Sequence, residues 1–484
     1  MAASLTTSFG FQSHSVVDSL VSQISTYVDK FDAPNRNAVT VAWFALFDAL
    51  GCAVASTKMR ECMRHVGPRV PGVSCQPGVT IPGTDLRVDP LSAAYSTGCL
   101  IRWSDFSDSW VALESGHPSD NIGAILAATE FASSRSRSLT VNDVLIGMIK
   151  AYEIQGVLGL NNSLSNFGLD HATFVRVASA AVTTKIIGGD YPEICSAVSH
   201  AWCDGHPLRI YRQSPNVGPR KSWAGPDAAA RGLELAYLAL KGEPACGSVI
   251  EDPAWGIESR VFSGNKLSLM RPLESYVMEN IVFKAAYPGV IHAQTALEAA
   301  IKLHRDVLPR LSQIKQINIW SYGTAIRIAS KSGPLKNPAD RDHCLQYMVA
   351  FGLLHGRLRE SDFSDSSAQD FRIDEMRNKM VVHEDPEFTK NFMNPEIRSC
   401  SNGVQVEFVD GTATARINIH QPIGHAGRID EVKPYLENKL IQNLSLRFSA
   451  LTVDSILRVF TTPERFWYSS IDQFLSFFRL TSRD

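Results

Sequence analysis

The stretch Asp105-Phe106-Ser107-Asp108-Ser109-Trp110-Val111-Ala112-Leu113-Glu114-Ser115-Gly116-His117-Pro118-Ser119-Asp120-Asn121 runs straight into Ile122-Gly123-Ala124-Ile125-Leu126-Ala127-Ala128. A polar loop carrying three acids and a histidine within thirteen residues thus opens an apolar helix. Ser119 or Asp120 is expected to cap that helix. His117 then stands at the positive end of a helix dipole, beside unpaired N–H groups, where an anion such as a carboxylate is stabilised. The same field disfavours a second proton on the ring, so His117 is suited to act as a neutral base or donor.

Outward from this loop the pattern stays helical. Residues 16–31, 35–55, 91–101, 122–133, 141–158 and 174–187 are helix-length runs rich in Ala, Leu, Ile and Val. Residues 78–86 suggest a short hairpin. The texture changes near Arg271. Residues 275–283 read as a strand or a short connection, 292–304 and 342–354 as helices, and 314–320 alternates as a half-buried strand. Residues 404–409 and 412–420, joined by Asp410-Gly411, form the clearest hairpin. From Glu431 onward the chain is helical again. The expected fold is mainly α: a large all-helical domain (1–272), an inserted α+β lid domain (273–424) and a helical return (425–484).

The chain of 484 residues is long enough for two or three domains, and its formal net charge of −2 gives no reason to expect nucleic acid or an anionic membrane as partner. The nine cysteines lack any C-x-x-C pair, which argues against a disulfide framework, a zinc ribbon or an iron–sulfur centre and for a reducing, cytoplasmic setting. Residues 1–32 have neither a basic start nor a long apolar run, so no signal peptide is expected, and their lack of arginine makes a poor mitochondrial presequence. The longest apolar run, 39–56, contains Asp48 and Gly51 and is read as a buried core helix. No G-x-G-x-x-G, Walker loop, G-x-S-x-G or H-E-x-x-H motif occurs.

Six polar segments interrupt the apolar pattern. They are the 105–121 loop, Gly168-Leu169-Asp170-His171, Arg209-Ile210-Tyr211-Arg212 with Pro219-Arg220-Lys221-Ser222-Trp223, Phe283-Lys284 with His292, the loop 333–343 opening the helix of Tyr347, and Pro422-Ile423-Gly424-His425. Each alone has a bland reading. The first two are capped helix starts, with Asp170 a fair N-cap. The basic pair is a solvated loop as readily as a grip on carboxylates. Lys284 can snorkel to solvent, and Asp340 can cap the helix that follows it.

Taken together, the segments resemble the MmgE/PrpD superfamily, in particular its iron-independent 2-methylcitrate dehydratase branch. Residues 116–121, 220–223, 275–280, 337–347 and 422–426 carry the likeness, which extends from about residue 20 to about residue 450. The resemblance implies a homodimer of two-domain subunits whose cleft holds a tricarboxylic acid, with no metal or other cofactor. It places the site on Asp105, Ser109, His117, His171, Lys221, Lys284 and Tyr347. Asp105 and His117 are expected to exchange protons. His171, Lys221 and Lys284 are expected to bind carboxylates, and Tyr347 to serve the departing hydroxyl. Ser115, Arg212, Arg220, His292, Arg341, His343 and His425 join Ser109 as expected substrate-binding groups.

One departure stands out. Ser115 occupies a place where that branch reads Trp, a side chain that buries roughly 150–250 Å². Either the pocket widens toward an alkyl group longer than methyl, or another side chain fills the space. Two rival activities remain: a cis-aconitate-type decarboxylase, against which the twelve-residue gap from Asp105 to His117 argues, and a catalytically dead binding subunit, against which the retained buried charges argue.

Overall fold

In the computed structural model, the described residues are 17–484 except 33, 136, 214–216, 395, 482 and 483. The first half of the stretch on which the presequence expectation rests, residues 1–16, therefore lies outside them. Asn35 caps the helix Arg36–Ser56 by accepting from the Ala38 N–H at 2.8 Å. This helix has the length and apolarity to cross a membrane, yet 83% of its apolar window is buried inside the structure. Its one acid, Asp48, is matched at 2.7 Å by Lys439 on the helix Ile429–Ser445.

Against Arg36–Ser56 pack Pro90–Arg102, Val141–Asn161 and Ile429–Ser445, and Ile122–Ser133, Ala172–Ile186, Arg220–Leu240, Tyr191–Cys203 and Ser19–Lys30 build outward from these. Small residues let them approach closely: a Cβ on Gly123 would lie 2.4 Å from the Ala94 carbonyl oxygen. The Pro90–Arg102 and Ile122–Ser133 helices therefore cross almost backbone to backbone, which fixes both ends of the 103–121 loop. One continuous core takes residues from Leu20 to Ala285 and again from Ile423 to Phe478.

A second core runs from Val290 to Phe408. It lies on a four-stranded sheet in the order Met380–Glu384, Ile314–Ser321, Asn402–Phe408, Ile417–Ile419. The first pair is parallel (Ile317 opposite Met380) and the others antiparallel (Ile319 opposite Val404). Ile317 and Ile319 point inward, and the helices Gln294–Val307 and Leu345–His355 contribute to the same core.

The structure is thus mainly α with a small sheet, and it corrects several local expectations. Residues 275–283 form no strand but a helical turn, Tyr276–Glu279. The helix expected from Asp342 begins only at Leu345 (Leu345–His355), and a separate short helix, Pro338–Arg341, precedes it, leaving Asp342 and His343 in the break. Asn337 caps the first piece through the Asp340 N–H, while Asp340 itself binds Lys331 at 2.7 Å. Arg220, read as part of a basic loop, begins a helix of 21 residues.

Candidate active site

The loop after Arg102 is laced to the segment that carries Lys284. Ser109 and Val282 exchange two backbone hydrogen bonds of 2.8 and 2.9 Å, and Trp110 and Gly116 exchange another pair of 2.8 and 3.1 Å. Asp105 is held at φ +48°, a left-handed conformation that Asp tolerates better than most residues. Its carbonyl oxygen accepts from the Gly289 N–H at 3.1 Å and from Lys284 Nζ at 3.0 Å.

The Asp105 carboxylate is a buried hub of positive charge. Arg102 Nη1 and Lys284 Nζ both lie 2.6 Å from its Oδ1, while Lys221 Nζ and His343 Nδ1 lie 3.7 and 3.6 Å from Oδ2. Burial opposes its charge, but Arg102, Lys284 and Lys221 outweigh that and hold the carboxyl well below the usual range. Such a group stays ionised at neutral pH, so the expectation that Asp105 exchanges a proton gives way to a charge-organising one. Lys284 shows the converse: burial brings it down to about 8, against the pull of Asp105.

His117 presents its Nδ1 to the Asp108 carbonyl at 2.8 Å. A ring nitrogen facing a carbonyl carries the proton, which leaves Nε2 as the free lone pair. Burial, then the Arg102 and Lys284 charges, push its pKa well below the ordinary imidazole value. The expected helix cap is corrected here. The Ile122 helix is entered through a 3₁₀ turn, Pro118–Asn121, and neither Ser119 nor Asp120 caps it by side chain; instead Asp108 Oδ1 accepts from the Ser119 N–H at 3.2 Å.

Three further imidazoles are neutral for the same reason. Burial lowers His171 to about 3, His292 to about 3 and His343 to about 4. The His171 ring stands edge-on to His117 at 6.0 Å. His292 Nδ1 is 2.5 Å from the Tyr322 hydroxyl and His343 Nδ1 is 2.5 Å from Asp342 Oδ1. Asp170 holds Arg212 at 2.5 Å, and its own carboxyl, despite burial, is drawn down chiefly by Arg212. The N-cap of the helix Ala172–Ile186 is His171, one residue beyond the expected Asp170, whose Oδ1 nevertheless accepts from the Ala172 N–H at 3.1 Å.

One cavity gathers most of the expected residues: Asp105, Ser109, Ser115, His117, His171, Arg212, Lys284, His292 and His343 line it, with Trp110, Gly116, Arg209, Val290, Ile291 and Ile328. Lys221 stands just behind, 2.8 Å from Asp342 Oδ2 and 3.3 Å from His343 Nδ1. Four expected residues lie elsewhere. Tyr347 is packed in the second core and donates to the Asp362 carbonyl at 2.7 Å. Arg341 donates to the Phe363 carbonyl at 2.7 Å and pairs with Asp365. Arg220 is spent on the Tyr211 and Trp223 ring faces. His425 Nδ1 accepts from the Gly427 N–H at 3.0 Å.

Conversely, Arg102 belongs to the cluster and was not singled out from sequence, while Arg209 and Asp342 fell within the polar segments 209–212 and 333–343 but not among the expected site residues. Only the three-residue spacing from Arg102 to Asp105 across a helix end would have hinted at the first. Among the described residues, Asp105, Asp342 and His343 are the group whose ligand atoms lie within 4.8 Å of one another as a metal site requires. The Lys221 ammonium already pairs with Asp342 there and stands 3.7 Å from Asp105 Oδ2.

Neutral imidazoles, a lysine brought down to about 8 and two arginines lining one cavity define a cationic acid–base site in a mainly helical protein. Residues 22–270 match the MmgE/PrpD N-terminal domain and residues 287–461 the MmgE/PrpD C-terminal domain. The chain is 42% identical over 469 residues to the 2-methylcitrate dehydratase of Escherichia coli (strain K12), covering 95% of this chain and 97% of that one. It is 42% identical over 449 residues to the "2-methylcitrate dehydratase, mitochondrial" of Yarrowia lipolytica, covering 91% and 86%. To the "2-methylcitrate dehydratase-like protein oryR" of Aspergillus oryzae it is 39% identical over 463 residues, covering 92% and 93%. The chain belongs to the MmgE/PrpD family.

Proposed function

We propose that the protein is a carbon–oxygen lyase that dehydrates 2-methylcitrate, or a longer 2-alkylcitrate, to the 2-alkyl-cis-aconitate by acid–base elimination. The observation that carries this reading is the pairing of His117, neutral with a free Nε2, and Lys284, an ammonium brought down to about 8, on one cationic cavity. His117 Nε2 takes the proton from the carbon beside a carboxylate. The C–H electrons form the new double bond, the C–O bond breaks, and Lys284 supplies the proton with which the hydroxyl leaves as water. An acid and a base matched to the working pH each contribute about 10²–10⁴-fold. Arg209 and Arg212 hold the carboxylates, and the Lys221 ammonium adds positive charge from just behind the wall, which stabilises charge growing on the substrate. Asp105 keeps Arg102, Lys221 and Lys284 in register.

The names of the relatives support the same substrate class. Ser115 lies on the cavity wall beside Trp110, which supports room for a longer alkyl group there. A homodimer, a cytoplasmic setting and domain limits at 272/273 and 424/425 complete the proposal; the nine free cysteines support the setting, and the separate cores support a division into two domains, though the break between the cores falls later, between Ala285 and Val290.

Incubation with a panel of 2-alkylcitrates, followed by the ultraviolet absorption of the new double bond, tests it. Turnover of 2-methylcitrate or a homologue is expected. Release of CO₂ from cis-aconitate would favour a decarboxylase, and silence on every acid, with tight binding to a partner protein, a non-catalytic subunit.

A further inference from the structure

Behind the cavity wall, Arg102, Asp120 and His171 enclose a polar gap. Their exposures are 1%, 1% and 4%, so bulk water does not serve them. Yet neither oxygen of Asp120, neither ring nitrogen of His171, and neither Nε nor Nη2 of Arg102 has a hydrogen-bond partner among the described residues. Asp120 Oδ2 lies 3.9 Å from His171 Nε2, and Asp120 Oδ1 lies 3.9 Å from Arg102 Nε. Polar atoms that face one another at such spans call for bridging water.

Asp120 differs from its acidic neighbours. Asp105 and Asp170 each hold a cation at 2.6 or 2.5 Å. The nearest cation to Asp120 is Arg102, whose Nη1 is committed to Asp105. Where the helix Arg220–Leu240 meets Asp120 stands a glycine: a Cβ on Gly225 would lie 2.3 Å from Asp120 Oδ2. A buried carboxylate without donors is costly, whereas the neutral acid is not.

We propose that Asp120 is a neutral carboxylic acid that positions His171, its O–H directed through bridging water to Nε2 while Nδ1–H faces Asp170 Oδ1 at 3.7 Å. The imidazole is thereby held uncharged, edge-on to His117, in one tautomer. The groups facing Asp120 agree with this assignment. Burial raises its pKa to about 7 against Arg102 and Arg212, and Asp108 and Asp170 add to the rise. Its ionisation places a negative charge behind the wall that receives an anionic substrate. Asp120 is a positioning residue, acting through His171 and through charge.

The kinetic part of the test rests on the dehydratase reading; the spectroscopic part does not. In the infrared difference between wild type and Asp120→Asn, the carbonyl stretch of a protonated carboxyl is expected at about pH 6, fading as pH rises through about 7. A carboxylate signal at about pH 6 overturns the proposal. If the variant does not fold, nitrogen-15 shifts of wild-type His171, assigned with His171→Gln, decide instead. A neutral ring protonated on Nδ1 is expected at about pH 6, and an imidazolium overturns it. In the kinetic arm, KM for 2-methylcitrate is expected to rise about tenfold more in wild type than in Asp120→Asn between about pH 6 and about pH 8.5. Lys284 titrates in both proteins, so the difference between them reads Asp120, and equal rises overturn the proposal.

Discussion

Lys221 Nζ lies 2.8 Å from Asp342 Oδ2 and 3.7 Å from Asp105 Oδ2, both beneath the protein surface. One ammonium therefore joins the long Arg220–Leu240 helix to the break at Asp342 and to the loop that starts at Asp105. Replacing Lys221 by Met leaves two buried carboxylates without this partner. Removal of one member of a buried pair costs about 3–5 kcal/mol. Urea unfolding of Lys221→Met is expected to show a loss of that size, together with a raised KM for the tricarboxylate.

Asp105→Asn keeps a side chain that tolerates the left-handed backbone but deletes the charge shared by Arg102 and Lys284. A loss of about 3–5 kcal/mol is expected at neutral pH. The folded carboxyl sits below its unfolded value, so its stabilisation is present above about pH 4 and is lost as pH falls further. Wild type and variant should therefore converge in acid, as chemical denaturation across pH will show.

If Lys284 provides the proton, kcat falls as pH rises through about 8, where the ammonium is lost. His117 is already neutral well below the usual imidazole range, so the acid limb lies far from neutrality. Lys284→Arg keeps the positive charge but not the titration. The alkaline inflection near 8 is expected to disappear from its pH profile, with turnover reduced about 10²-fold or more.

His117→Ala is expected to lower kcat about 10²–10⁴-fold with little change in thermal midpoint, checked by double-bond absorption and a melting curve. Tyr347→Phe is expected to do the reverse. It removes the hydrogen bond to the Asp362 carbonyl, so stability should fall by about 1 kcal/mol while kcat holds.

The helical half was legible because its signals are local. The Ile122–Ser133 helix lies on the range read from the apolar run, and Asn35 caps where the polar residue precedes one. The strand Met380–Glu384 escaped because a parallel partner gives no hairpin signal, and its register with Ile314–Ser321 depends on residues 60 or so positions away. Much of the site was legible through resemblance, since ordered motifs flag His117, His171, Lys221 and Lys284. Resemblance cannot say where a side chain points, which is why Tyr347, Arg341, Arg220 and His425 were expected in a cavity they do not reach. Arg102 and Asp342 are ordinary in sequence and acquire meaning only from what the fold sets opposite them.

Lys439, more than 300 positions downstream of the Asp105 loop, donates to the Phe106 carbonyl at 2.5 Å and to the Lys284 carbonyl at 3.1 Å while pairing with Asp48. A single amine from the late helices thus buttons together the two stretches of main chain from which acid and charge hub project. In a genetic screen, lesions at 439 would masquerade as catalytic defects, and shortening the protein from its far end would disable chemistry performed near its beginning.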